Sequence, residues 1–369
     1  MIYFDSAATS FQKPKEVILA VERSLREASS PGRGAYGAAM RASELMFDAR
    51  EAAADFFRFH DPERVVLTMN ATHALNLAIR TLAGPGTRAV VSPYEHNAVV
   101  RPLHAAGAEI DVASGRLFDS EELLKSFRNK LPGASVAVCT QVSNVFGYVL
   151  PIQEIADLCR VHGVPLIIDA SQSAGVLEID ADSLCADFIA MPGHKSLLGI
   201  PGSGILLCRA DAEPLLCGGS GSESVSRSMP SRLPDRLEAG TQNAPAAAAL
   251  CAGIRFIRKK GREKIEKHER ELRAHLTVLL KNRDGIELFL PPQEEQSGVL
   301  SVRIAGRDCE EIAAALAAED ICVRSGLHCA PLAHQTAGTL ESGTIRFSFS
   351  PFNTHAEIEK AAGKLIKII

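Results

Sequence analysis

Val164-Pro165-Leu166-Ile167-Ile168-Asp169-Ala170-Ser171-Gln172 decides the fold. Five apolar residues run without a polar interruption and end on a carboxylate and three small or polar side chains. A strand that is apolar at every position is covered on both faces, the mark of a parallel sheet between helices. In such sheets ligands bind beyond the carboxyl ends of the strands. The step from Ile168 to Asp169 therefore marks where chemistry is expected.

Working outward, the same unit repeats. Short apolar runs at 65–68, 89–92, 109–112, 135–140, 187–191 and 204–208 read as strands. Helical patterns at 72–83, 97–106, 119–130 and 152–162 separate them. This alternation predicts an α/β fold: a mostly parallel sheet, seven-stranded in type, with helices on both faces. Past Gly218-Gly219-Ser220-Gly221-Ser222 the pattern changes. Residues 223–243 read as a loop, and 244–280 as helix with a break near Gly261. The remainder reads as strands 286–290 and 298–304, helix 309–319, strand 321–324, a loop, strand 344–349 and helix 355–368. We expect three parts: an N-terminal segment 1–15 packing near the site, a large domain 16–253, and a smaller α+β C-terminal domain 254–369. No internal repeat is visible.

Composition narrows the function. The chain has 369 residues, 46% hydrophobic and 23% charged, which excludes a disordered chain or a coiled coil. No apolar run approaches the ~18 residues of a membrane span. Forty basic residues against 44 acidic ones give no support for a nucleic-acid or anionic-membrane partner. The basic stretch 255–267 reads as the solvated face of a helix. The start, Met1-Ile2-Tyr3-Phe4-Asp5, has no basic leader, so we expect a cytoplasmic protein. Nine cysteines stand singly without zinc spacing. Free thiols are expected, most of them buried, and no metal.

The chemistry clusters at strand ends. Asp169 leaves a buried strand and needs a partner. Lys195 follows after the next strand, in Pro192-Gly193-His194-Lys195-Ser196. It is not a P-loop lysine, because His194 separates it from Gly193. An Asp and then a Gly-flanked Lys one strand later suit pyridoxal phosphate: the Lys binds the cofactor covalently, and the Asp keeps the ring nitrogen protonated. Asn70-Ala71-Thr72-His73 opens a helix. It reads equally as an ordinary N-cap or as a phosphate seat. His96, in Glu95-His96-Asn97, is placed either to stack on a flat ring or as a structural residue.

Together these stretches resemble the class V, fold-type I pyridoxal-phosphate enzymes of the cysteine desulfurase and selenocysteine lyase family. The resemblance runs nearly end to end. It includes Tyr3-Phe4-Asp5-Ser6-Ala7-Ala8-Thr9, Ser143-Asn144-Val145-Phe146-Gly147, Glu238-Ala239-Gly240-Thr241-Gln242-Asn243, Arg324-Ser325-Gly326-Leu327-His328-Cys329-Ala330 and Ile345-Arg346-Phe347-Ser348, besides the motifs above. It implies that Lys195 forms the Schiff base, that Asp169 pairs with the ring nitrogen, and that His96 stacks on the ring and handles protons. Gln172 and Asn144 are implied near the cofactor's phenolic oxygen, Asn144 also near substrate. Ala71, Thr72 and His194 are implied to hold the phosphate, with Thr241 added from the second subunit of a homodimer. Arg346 is implied to fork the substrate carboxylate, and Cys329 to accept sulfur.

The sequence also departs from the family. Many relatives carry a hydroxyl residue where Pro192 stands. Asn97 replaces a second histidine, and Leu327 precedes His328. The short span from Cys329 to Arg346 resembles the group with a compact cysteine loop. The nearby His328, or the positive field of Arg324 and Arg346, is expected to favour the Cys329 thiolate. The leading expectation is a desulfurase that converts L-cysteine to L-alanine, leaves a persulfide on Cys329, and supplies a sulfur-acceptor protein. The alternatives are a selenocysteine lyase acting on L-selenocysteine, a class V aminotransferase or C–S lyase, and a non-enzymatic sulfur-relay scaffold.

Overall fold

The structure is a computed structural model and describes residues 1–32 and 34–369. In chain order the elements are β1 (Ile2–Tyr3), α1 (Lys15–Glu27), α2 (Gly37–Phe56), β2 (Val65–Thr68), α3 (Ala71–Leu82), β3 (Arg88–Val91), α4 (Asn97–Ala105), β4 (Glu109–Val112), α5 (Ser120–Lys130), β5 (Val136–Thr140), α6 (Ile152–His162), β6 (Leu166–Asp169), α7 (Ala181–Leu184), β7 (Phe188–Pro192) and β8 (Gly204–Cys208). Then come α8 (Ala244–Lys260), α9 (Arg262–Leu280), β9 (Ile286–Phe289), β10 (Val299–Ile304), α10 (Cys309–Ala318), β11 (Ile321–Cys322), β12 (Arg324–Gly326), α11 (Pro331–Thr336), β13 (Thr344–Ser348) and α12 (His355–Ile368).

Seven strands form one sheet in the order β2-β8-β7-β6-β5-β3-β4. Both faces of β6 are covered, as its unbroken apolar run requires. Leu166 and Ile168 enter one core cluster, and Ile167 enters the cluster on the opposite face. All pairings are parallel except those of β8, which runs antiparallel to β2 and β7. The cause is local: β7 and β8 are joined by the short turn 193–203, too short for the crossover that a parallel pair needs. That turn carries Lys195. The strand order reverses between β3 and β5, the crevice where open α/β sheets bind ligands.

A second sheet, β12-β13-β10-β9, is antiparallel, and β1 pairs with β11. Its core includes Phe4, Leu272, Leu300, Ile345 and Phe347, all fully buried. Gly261, at φ +90°, separates α8 from α9. Among the described residues no helix is long and apolar enough to cross a membrane.

The structure corrects four expectations. The first 64 residues carry two helices, α1 and α2, for which no pattern was read. The expected strand 321–324 is two short strands, β11 and β12, in different sheets. The loop after Cys329 contains α11. Of the nine cysteines, only Cys139, Cys159, Cys208 and Cys251 are buried; all nine are free. The basic stretch 255–267 does lie on helix surface, where Arg255 and Arg258 pair with Asp48 and Asp55 of α2.

One buried ion pair ties helix to sheet. Glu238 accepts the backbone N–H of Leu67 on β2 at 2.7 Å and pairs with Arg50 of α2. Burial pushes the Glu238 carboxyl up, and Arg50 opposes that shift. Removing one partner of a buried pair strands the other charge, which costs about 3–5 kcal/mol. Arg50→Ala is therefore expected to lower unfolding free energy by about 3 kcal/mol in a denaturant titration. A loss below about 1 kcal/mol would show that the pair is worth no more than a surface contact.

Candidate functional site

A cleft opens at the carboxyl ends of β3, β5, β6 and β7. Its lining includes Ala71, Thr72, His96, Asn144, Asp169, Gln172, His194 and Lys195. Eight of the positions singled out in the sequence thus meet in one place, from five separate stretches of chain.

Asp169 ends β6 and is 3% exposed. Its Oδ1 accepts the Ser171 N–H at 2.9 Å, and Oδ2 has no hydrogen-bond partner among the described residues. Lys195 sits in the β7–β8 turn. The residue is half-buried, and desolvation pulls its pKa down to about 8; Asp169 opposes this and Arg346 and Arg324 add to it. Among the described residues no hydrogen bond or ion pair holds the amine. Two glycines clamp the turn. A Cβ on Gly175, whose φ is +95°, would stand 2.5 Å from the Ser196 carbonyl oxygen, and one on Gly253 would stand 2.1 Å from that of Leu197. The side chain is thereby aimed by backbone packing, not by a polar contact of its own.

The start of α3 forms an anion seat. Asn70 caps it by accepting the His73 N–H at 2.8 Å, and the N–H groups of Ala71 and Thr72 remain without acceptors among the described residues. Free N–H groups at a helix start favour an anion. Across the cleft, His194 Nδ1 meets Thr9 Oγ1 at 3.0 Å. Burial lowers its pKa to about 4, with Lys195 and Lys13 adding to the effect. Pro192 lines the cleft as the last residue of β7 and offers no donor.

His96 caps α4. Its Nδ1 accepts the Ala98 N–H at 2.9 Å, so in the neutral ring the proton is on Nε2. Burial pulls its pKa to about 4, against the pull of Asp169. The preceding Glu95 is fully buried. It ties the strand ends together by accepting Ser92 Oγ at 2.5 Å and the Thr140 N–H at 2.7 Å, and burial raises its pKa to about 8.

Cys329 lies in a strained turn beside this cleft. His328 and Cys329 have φ of +48° and +56°. Left-handed backbone at two successive side-chain-bearing residues costs about 1–3 kcal/mol each and survives only where neighbours over-determine it. They do so here. Asn144 Nδ2 donates to the His328 carbonyl at 2.7 Å, the Asn97 N–H donates to that of Cys329 at 2.7 Å, and the Ala330 N–H donates to that of Leu327 at 2.9 Å. Cys329 itself is exposed. His328, expected to favour the thiolate, is buried: its Nε2 meets Thr344 Oγ1 at 3.1 Å, and burial holds its pKa well below the usual value, so it brings no positive charge.

Arg346, on β13, is 2% exposed. Nη1 donates to the Asn144 carbonyl at 2.9 Å, Nη2 donates to Asp5 Oδ1 at 2.7 Å, and Nε is buried without an acceptor. Asn144 thus joins the arginine to the cysteine turn. Thr241 does not reach this cleft; it lines a neighbouring one with Met69, Asn70 and His73. The N-terminal segment packs on the site, with Gln172 Nε2 donating to the Ala7 carbonyl at 3.0 Å and the Ser10 N–H to that of His194. Asp5, Thr9 and Lys13 went unassigned in the sequence. Asp5 and Thr9 lie in a quoted run, but nothing local shows that it folds back across the chain. Among the described residues no group of three or more His, Cys, Asp or Glu side chains is placed to hold a metal.

The unpaired amine of Lys195, the free Oδ2 of Asp169 and the free N–H groups of α3 form a set with an aldehyde-reactive group, an anion for a protonated ring nitrogen and a phosphate seat. They fit pyridoxal phosphate.

Comparisons with known proteins agree with the geometry. The Aminotransferase class-V family model matches residues 2–361. A protein of Pyrococcus abyssi named "Probable cysteine desulfurase" is 33% identical over 388 residues, covering all of this chain and 94% of its own. One of the same name from Xylella fastidiosa is 34% identical, with coverage of 100% and 91%. The apo structure of a cysteine desulfurase from Thermococcus onnurineus superposes with a TM-score of 0.91 at 30% identity, covering the whole chain and 94% of that structure.

Proposed function

Because the chain belongs to the aminotransferase class-V family, we propose that it is a pyridoxal-phosphate-dependent cysteine desulfurase, converting L-cysteine to L-alanine with a persulfide on Cys329. The observation that carries the reading is the hydrogen-bonded path from Arg346 through Asn144 to the strained Cys329 turn. A substrate-anchoring cation and the turn that carries an exposed thiol are linked through one residue that lines the cleft.

Lys195 would hold the cofactor, Asp169 its ring nitrogen, and Ala71, Thr72 and His194 its phosphate. Pyridoxal phosphate, when bound, supplies an electron sink for the substrate's α-carbon. The protein's own residues do the rest. Arg346 fixes the substrate carboxylate. Asn144 and Gln172, which line the cleft, would border the ring, and Asn144 would also face substrate. Lys195, with its pKa lowered to about 8, is about one-tenth free amine at pH 7, far more than an unperturbed lysine, and would take and return a proton at carbon. His96 offers a neutral imidazole with its proton on Nε2 for stacking and proton transfer. The Cys329 thiolate attacks the substrate sulfur. An S–S bond forms, the C–S bond breaks with its electron pair going to carbon, and protonation there gives alanine.

We take the enzyme to be a cytoplasmic homodimer that passes sulfur to an acceptor protein. Nine free thiols fit a reducing compartment. Thr241 lies outside its own cleft but close to exposed Met69 and Leu216, as suits a residue lent across a subunit interface to the partner's phosphate. Residues 16–253 and 254–369 are read as the large and small domains. Product assay decides the activity: cysteine and selenocysteine are supplied side by side, and alanine and chalcogenide are measured. Alanine from cysteine supports the desulfurase; turnover of selenocysteine alone overturns it in favour of a lyase.

Arg346→Ala is expected to raise KM for cysteine about 100-fold, the worth of a forked charge-assisted contact. Bound cofactor is expected to stay in place, since the lost contact belongs to substrate. An unchanged KM would remove Arg346 from the site.

A further inference from the structure

We propose that Asp5 is an internal occupant of the substrate-carboxylate site: its carboxylate holds Arg346 in the resting protein and gives way to the substrate's own. The proposal rests on reading Arg346 as the residue that binds substrate carboxylate.

Four observations carry it. First, Arg346 is 2% exposed while Asp5 is in place, so a second carboxylate cannot reach the guanidinium unless Asp5 yields. Second, the contact is single. Only Oδ1 touches Nη2, and Nε is left buried without an acceptor. A free carboxylate can exchange this one contact for a two-point grip.

Third, the segment carrying Asp5 is fixed by its backbone and neighbours, not by the Asp5 side chain. Phe4 is fully buried, the Ser348 N–H donates to the Phe4 carbonyl at 2.9 Å, and the Ala7 N–H donates to Ser348 Oγ at 2.9 Å. The Asp5 side chain, 19% exposed, can therefore turn outward to water without unseating its strand. Fourth, exchange of one carboxylate for another keeps Arg346 neutralised throughout, which a buried cation requires. An amine without a carboxylate offers nothing in exchange for Asp5, so the same contact excludes cysteamine-like compounds.

The test uses cofactor-loaded protein. L-Alanine, which carries the carboxylate but no sulfur, is titrated by calorimetry into wild type, Asp5→Asn and Asp5→Glu. Asp5→Asn keeps the shape and weakens the competitor, so the Kd for L-alanine should fall about tenfold. KM for cysteine should fall by the same factor while kcat stays within about twofold. Asp5→Glu keeps the charge and should gain nothing. Unchanged or weaker alanine binding in Asp5→Asn, at an unchanged Tm, overturns the proposal and leaves Asp5 as a structural anchor. If Asp5→Asn does not fold, Asp5→Ser is read by the same criteria. Alanine binding does not depend on turnover. A protein that binds alanine but never forms it from cysteine defeats the desulfurase reading and still decides the role of Asp5. Alanine binding that is indifferent to Arg346→Ala overturns the assignment of the site itself.

Discussion

Lys195→Ala is expected to yield a folded protein that loses its cofactor on gel filtration and turns over cysteine at least about 10³-fold more slowly. The scale follows from losing both the covalent tether and a general base, each able to contribute two to four orders of magnitude. Stability should not fall with activity. The amine has no polar partner to strand, and its pKa of about 8 lies below the 10.5 of an unperturbed lysine. Between those values the unfolded chain binds more protons than the folded one, so wild-type stability rises with pH through that window. Below pH 8 the cofactor-free folded state carries the whole penalty of a desolvated ammonium. Lys195→Ala removes the penalty and the slope together, so at neutral pH it should match or exceed the cofactor-free wild type in denaturant titrations. Borohydride reduction and digestion of wild-type protein should place the phosphopyridoxyl group on Lys195. The group on any other lysine would overturn the assignment.

Why Lys195 was legible in the sequence, and Asp5 was not, is a matter of how far each signal travels. Lys195 stands between a strand and a run of glycines, and both are local. Asp169 ends an apolar run that only a covered strand explains. The sheet followed from the same reasoning, because alternation of buried strands and helices admits few topologies. The antiparallel turn of β8 depends on a short connection that was visible as Gly193 to Gly204. What stayed hidden was carried by distance. Asp5 meets Arg346 across 341 positions, and Asn144 reaches His328 across 184. Neither pair leaves a mark at either end, since a carboxylate or an amide has many possible partners. The neutral state of His328 was hidden for the same reason: its burial beside Thr344 and His334 is made by tertiary packing. The helices α1 and α2 were less legible because no strand of the main sheet precedes residue 65 to bracket them.

Cys329→Ala is expected to retain cofactor and to bind cysteine through Arg346, yet to lose alanine formation by about 10³-fold or more, as removal of a nucleophile from a concerted site does. The fold gives a way to separate that loss from damage. The thiol is exposed and no hydrogen bond holds it among the described residues, so Cys329→Ala should change unfolding free energy by no more than about 0.5 kcal/mol. Alanine keeps a Cβ at φ +56°, so the strain of the turn persists. Cys329→Gly removes that strain as well and should be about 1 kcal/mol more stable than Cys329→Ala, the order of the left-handed penalty for an L-residue. Both variants should be equally inactive toward cysteine. That pairing, more stable and no more active, is what a turn strained to present a nucleophile predicts. Selenocysteine is the control within the same samples, because selenium leaves more readily and has less need of a thiol to receive it. If Cys329→Ala made alanine from cysteine at the wild-type rate, the strained turn would have some other use and the chemistry would belong to a lyase or an aminotransferase.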